Sequence, residues 1–441
     1  MSRSVVRWVV GIFAVVVLLA GAIGGFAWWK ISGLKESLVR ELGHALGAEV
    51  QVASLDFDLW HGELHAAGIS LVNVRPDAPW DKGDISQATV HFHLSDVFAS
   101  TLPLTVDVSA WNVVLHSDAG GASAPSASAA PTETNDSTSG TKRRVHVTNL
   151  TAQEGSVEID LANNRKVLLH GVGFTAENNG AGVWTTQLQA NSVAYDSLAA
   201  TAGSVQIRSD QDKLTFSNLR MTCDQGLITG DGERDLASPH QAHVTLKITE
   251  VPVTMLVAVQ WQMKLTGQVT GDLTYDGNDQ GGSATGAIAL NHAKFNFLPW
   301  LGKMTAMVGL ADISDVEVDK ATSDYTWKDA ALHLSNIDVR KNDVTRIAGT
   351  VDVDPTGQID GKLKLGLPST VTSKWPQLQT QVFTVQNDDY NWADVHLTGT
   401  PDHLQEDLSS RLLTVGLQQG GDLLDAAKQK ASDLLKSFMG N

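Results

Sequence analysis

The chain has 441 residues, 42% of them hydrophobic and 18% charged, enough apolar content to bury a large core. With 49 acidic against 32 basic residues the formal net charge is −17, which argues against nucleic acid, where a basic stripe is expected. Cys223 is the one cysteine, so no internal disulfide forms, and no set of His, Asn or Asp residues around it completes a nucleophilic unit.

Val5 through Trp29 is one apolar run interrupted by Arg7. At about 1.5 Å per residue, Trp8 to Trp28 spans roughly 30 Å, the thickness of a hydrocarbon core. Trp8, Phe13, Leu18, Leu19, Phe26, Trp28 and Trp29 are the candidate anchor residues, with tryptophans at both ends where aromatic belts sit. Arg3 and Arg7 before the run place the short N-terminus in the cytoplasm. A cleaved signal peptide is the competing reading, because Ala20-Gly21-Ala22 fits a cleavage site. The apolar residues run on to Trp29, however, beyond the length of a signal's apolar core. Under either reading the rest of the chain lies outside the cytoplasm.

Residues 31–46 predict an amphipathic helix, with Leu34, Leu38, Leu42 and Leu46 recurring every four residues and Gly47 following. The period then changes to two. Val50 and Val52, then Leu55, Phe57 and Leu59, alternate with polar neighbours, as do Ile69 and Leu71, Val90, Phe92 and Leu94, Val106 and Val108, and Val113 and Leu115. Residues 117–143 carry Ser, Ala, Gly, Thr and Pro and no large apolar side chain, so they predict a disordered linker.

From 144 to 404 the strand period dominates. Its clearest hairpin is 349–367: Val351 and Val353 alternate, Asp354-Pro355-Thr356-Gly357 turns, and Ile359, Leu363, Leu365 and Leu367 return. A Thr/Ala-Gly step recurs at Gly230, Gly267, Gly286, Gly349 and Gly399, which suggests hairpins of similar build added in series. Short helical intervals are expected at Val253–Val259 and Leu301–Ala311. Residues 405–441 predict a C-terminal amphipathic helix, with Leu412, Leu413, Leu423, Leu424, Leu434 and Phe438 on one stripe. That stripe fits core packing, capping of a groove end, or binding to a membrane or partner.

Alternating strands bury one face, and two short helices cannot cover so many strands. The sheet either packs on itself as a sandwich or barrel, or curls into a groove whose apolar lining meets lipid. The expected fold is mainly β: an N-terminal transmembrane helix, an elongated antiparallel sheet curled into a groove, a few short helices and the C-terminal helix. The expected segments are a cytoplasmic tip and anchor (1–30), a helix with strands (31–116), the linker (117–143), the groove (144–404) and the C-terminal helix (405–441). Val351, Val353, Leu363 and Leu365 are the candidate groove lining.

No catalytic or metal constellation stands out. His61-Gly62-Glu63-Leu64-His65 is not His-Glu-x-x-His, and His91 and His93 have no identifiable third ligand. Asp352-Val353-Asp354 with Gly357 has Leu363 where a calcium loop needs Glu, so a turn is the better reading. Gly-x-Ser-x-Gly, a P-loop and a helix-opening Gly-x-Gly-x-x-Gly are absent from the sequence. No enzyme activity and no cofactor are expected.

Three stretches carry a family resemblance. They are residues 42–73 (LGHALGAEVQVASLDFDLWHGELHAAGISLVN), residues 298–367 with LHLSNIDV and IAGTVDVDPTGQIDGKLKLGL, and the closing His396-Leu397-Thr398-Gly399-Thr400-Pro401. In this order they resemble the AsmA-like family of inner-membrane-anchored periplasmic proteins related to AsmA and TamB. The resemblance implies an inner-membrane protein with its bulk in the periplasm, acting in outer-membrane biogenesis through phospholipid traffic, with an envelope protein as a further partner. It implies no catalytic residues. The reading from a different class is a scaffold or regulator of envelope assembly with a closed β-sandwich core and no lipid.

Overall fold

The computed structural model describes residues 48–418 except 59, 76–79, 94, 97–100, 117–143, 162–164, 181, 258, 264, 296–316, 343 and 402. The anchor residues Trp8, Phe13, Leu18, Leu19, Phe26, Trp28 and Trp29 lie outside the described residues. So do the helix expected over 31–46, the linker, the interval at 301–311 and the chain after 418. Among the described residues no helix is long and apolar enough to cross a membrane. The described chain is mainly β, as its period-two pattern predicts. It divides into two units, residues 1–223 with 233–237 and residues 224–232 with 238–441.

The first unit contains β1 (Glu49–Asp58), β2 (Glu63–Val72), β3 (Trp80–His91), β4 (Thr101–His116), β5 (Arg144–Asp160) and β6 (Lys166–Asn178). It continues with β7 (Trp184–Ala190), β8 (Ser192–Tyr195), β9 (Leu198–Ala200), β10 (Ala202–Ser209) and β11 (Lys213–Cys223). β1 to β4 pair antiparallel in sequence order. β5 then lies parallel to β4, Thr101 beside Arg144 and His116 beside Asp160, which corrects the expectation of a purely antiparallel sheet. Strands on both sides of residues 117–143 therefore belong to one sheet, with Val106 opposite Leu150 and Leu115 opposite Ile159. β6 pairs β5 on one side and β7 with β8 on the other, and β10 joins β7 to β11. The core gathers Val50, Leu64, Val90, Leu104, Val106, Trp111 and Val157.

The second unit contains most of β12 (Gly226–Asp235), whose last three residues belong to the first, and β13 (Ala242–Pro252), β14 (Leu265–Asn278), β15 (Gly281–Phe295), β16 (Glu317–Val318), β17 (Lys320–Lys328), β18 (Ala331–Lys341) and β19 (Thr345–Val353). After these come β20 (Ile359–Pro368), β21 (Val385–Asn387), β22 (Tyr390–Thr400) and β23 (His403–Glu406). The helical interval after β13 is a 3-10 turn at Val253–Met255 and the short α1 (Val259–Gln262). Three more helices, α2 (Ser369–Thr372), α3 (Pro376–Gln381) and α4 (Leu408–Gln418), accompany β20 and β22.

The order β13-β14-β15-β17-β18-β19-β20-β22 is an antiparallel meander. Among the described residues no pairing joins β13 to β22, so this sheet is open, which corrects the expectation of a sheet curled into a groove. The predicted hairpin is present. Val353 faces Ile359 and Val351 faces Gly361, while Asp354 Oδ1 accepts hydrogen bonds from the N–H of Thr356 at 2.8 Å and of Gln358 at 2.9 Å.

The alternation of apolar residues slips by one in the middle of many strands. Leu150 and Ala152 give way to Val157 and Ile159, Val244, Leu246 and Ile248 to Val251, and Leu332 and Leu334 to Ile337 and Val339. At each slip one residue adopts a left-handed conformation: Glu154 (φ 55°), Glu250 (φ 53°) and Asn336 (φ 51°). The strand pairing shifts at the same places. An extra residue in a strand turns every later side chain to the other face. The slip in the sequence cancels the slip in the backbone, and one face stays apolar from end to end.

Candidate functional site

Register assigns the apolar face of the second unit residue by residue. One row runs Val244, Tyr275, Ala284, Trp327, Leu332, Val353 and Ile359 across seven strands. Beside it stand Leu246 and Leu273 on β13 and β14, and Tyr325, Leu334 and Val351 on β17 to β19. A further row joins Val251, Val269, Leu290, Ala321, Val339, Ile347, Leu365 and Ala393. Side chains on alternate positions must share a face, so the rows follow from the pairing alone.

The two ends of this face differ. Over β20 and β22 it is closed: Leu365, Leu367, Phe383 and Leu408 are fully buried in one cluster with Leu378, Leu412 and Val415 from α3 and α4. Toward β13 part of it is open to solvent: Val244, Leu246, Ile248, Leu273, Tyr275, Ile288, Leu332 and Leu334 are only half-buried and Trp327 is 39% exposed, while Val251, Val269 and Ala321 of the further row stay buried. The four candidate lining residues therefore separate. Val351 and Val353 are half-buried at the boundary, whereas Leu363 and Leu365 lie in the closed cluster at 9% and 0% exposure. The neighbouring half-buried residues on β13 to β18 were not singled out from the sequence. Their alternation was visible, but no local signal told a covered strand from an uncovered one.

The recurring glycines have a packing cause. A Cβ on Gly349 would come within 2.2 Å of the Lys362 carbonyl oxygen, and one on Gly399 within 2.2 Å of that of His403. Both have φ above +100°, which a side chain rarely tolerates. They mark close approach of adjoining strands.

The polar residues of interest are surface pairs. His61 Nδ1 lies 2.6 Å from Asp58 Oδ2 in the exposed β1–β2 turn. That hydrogen bond raises the His61 pKa above its ordinary value and lowers that of Asp58. His65 lies 3.1 Å from Glu63, and His91 sits between Glu63 at 3.4 Å and Asp107 at 3.0 Å. His93 falls past the end of β3. Among the described residues no three His, Cys, Asp or Glu side chains are grouped to hold a metal ion. Cys223 is fully buried, and burial pushes its thiol pKa up, away from a reactive thiolate.

No protein-family model matches the chain, and no curated protein matches it.

Proposed function

We propose that the apolar face of the second unit binds phospholipid acyl chains, in a membrane-anchored periplasmic protein of envelope biogenesis similar to the AsmA-like family. The observation that carries this reading is the half-buried apolar surface from β13 to β19. Soluble proteins rarely leave so continuous a patch of Val, Leu, Ile and Tyr in water without a use for it. Saturated chains ask only for apolar contact along their length, which rows of β-branched and leucine side chains supply without polar selectivity. In this reading the acyl chains lie along the open sheet face, and the apolar run at Val5–Trp29 holds the protein at the membrane.

The closed cluster under α3 and α4 supports the second reading, a scaffold without lipid, because it shows the same face packed as a protein core.

Lipid analysis of the full chain purified in mild detergent separates the two. Wild type carries phospholipid, and Val353→Asp or Leu334→Asp loses it with little change in melting temperature. Leu365→Asp, in contrast, places an unpaired charge in a closed core, at a cost of several kcal/mol, and unfolds the unit. A wild type free of lipid, with Val353→Asp melting as early as Leu365→Asp, would leave only the scaffold.

A further inference from the structure

The opposite, polar face of the second unit sets three basic residues side by side. Lys320 on β17 is the register partner of Arg340 on β18, and Arg340 is the partner of Arg346 on β19. Like charges directly opposite one another weaken a sheet, so this row opposes the pairing that holds it. Asp338 offsets part of the repulsion. It accepts from Arg340 Nε at 2.7 and 2.9 Å, lies 2.5 Å from Arg340 Nη2, and accepts from Arg346 Nε at 2.8 Å. Desolvation by partial burial works against its ionisation, yet the bonds from the two arginines hold its pKa below the ordinary carboxyl value. The Asp388 carboxylate adds electrostatic support to Arg340.

Both guanidiniums are thus fixed along their Nε edges. The Arg346 guanidinium also stands 5.7 Å from the ring centroid of Trp392. Trp392 itself fills the space over Gly366, where a Cβ would come within 3.1 Å of the ring. Among the described residues the terminal Nη1 and Nη2 groups of Arg346 and the Nη1 of Arg340 make no hydrogen bond. These donors belong to side chains that are 23% and 42% exposed.

We propose that Arg340 and Arg346, walled by Trp392 and joined by the point charge of Lys320, form a binding site for a phosphate group. A guanidinium fork held by its inner edge presents its outer N–H groups in the spacing that oxygen pairs of a phosphate accept. A bound anion also removes the repulsion along the Lys320–Arg340–Arg346 row. The site needs no acyl chain and lies on the other face from the apolar rows, so it stands apart from the lipid reading.

The full chain in detergent is titrated with inorganic phosphate, glycerol 3-phosphate and dihexanoyl phosphatidylglycerol, at low and high salt. Saturable, salt-sensitive binding is expected. It weakens about tenfold or more in Arg346→Gln and Arg340→Gln, the scale of a lost charge-assisted hydrogen bond, and less in Arg346→Lys. Far-UV circular dichroism checks that the variants keep the sheet. Tighter binding of inorganic phosphate and glycerol 3-phosphate than of the lipid identifies a free phosphate ligand. Tighter, arginine-dependent binding of the lipid identifies a headgroup. Equal binding by wild type and Arg346→Gln, or no saturable binding of any probe to wild type, overturns the site.

Discussion

The indole of Trp111 on β4 fills the place where Gly155 on the parallel strand β5 lacks a side chain: a Cβ on Gly155 would lie 2.0 Å from Trp111 Cε2. The same indole meets the edge of Phe174, with ring centroids 5.9 Å apart and planes at 79°. Trp111 therefore ties three neighbouring strands, β4, β5 and β6, from one position. Gly155→Ala overpacks this contact and is expected to destabilise the first unit by about 1–3 kcal/mol. Gly173→Ala adds a methyl whose nearest contact is the Ala152 carbonyl oxygen at 3.4 Å, and is expected to change stability little. Urea denaturation of the two variants measures the difference, and equal midpoints would refute the role given to Trp111.

The closed end of the second unit depends on which face of α4 is buried. Leu412 is 3% exposed and Leu413 is 49% exposed. Leu412→Ala is expected to cost about 2–5 kcal/mol, the range for emptying a buried leucine site. Leu413→Ala is expected to stay within about 0.5 kcal/mol. Thermal melts of both variants test the assignment. A Leu413→Ala loss as large as that of Leu412→Ala would show that the exposed face of α4 is covered as well.

Asp338 sets an acid limit on the second unit. Its folded pKa lies below the ordinary 3.8, so the stabilisation it brings is complete above that value. It is lost as pH falls through the lower folded value, because protonation then releases both arginines. Asp338→Asn should lower the melting temperature at pH 6 and flatten its decline below about pH 4. An unchanged acid limb in that variant would remove Asp338 from the account.

Much of this architecture was legible in the alternation itself. The hairpin at 349–367 followed from Val351, Val353 and the Asp354–Gly357 turn, because turn chemistry and period two are both local. The parallel pair was not legible, since β4 and β5 carry the same alternation whichever way they run. The mid-strand slips were present in the sequence, as in Leu332 and Leu334 followed by Ile337 and Val339. Their meaning depends on left-handed residues such as Glu154 and Asn336, which the alternation by itself does not reveal. Of the candidate lining, Val351 and Val353 sit half-buried at the boundary, against the closed cluster, and Leu363 and Leu365 lie within it. All four share one alternation, and the difference is made by α3 and α4, which lie far along the chain from β19. The Lys320–Arg340–Arg346 row could not be seen at all without the register of three strands.

The parallel step from β4 to β5 turns residues 117–143 into a tether with a minimum length. Their chain leaves His116 and must re-enter at Arg144, which lies beside Thr101 at the far end of β4. That return covers roughly 50 Å at about 3.3 Å per residue of strand. A fully stretched chain gains at most about 3.5 Å per residue, so about 15 residues are the fewest that reach. Composition alone suggests a stretch whose length is free, since loop entropy varies slowly. Geometry instead predicts a threshold. Removing about eight residues from the Ser/Ala-rich middle should leave the melting temperature almost unchanged, whereas removing about eighteen should tear β5 out of register with β4 and collapse the first unit's core.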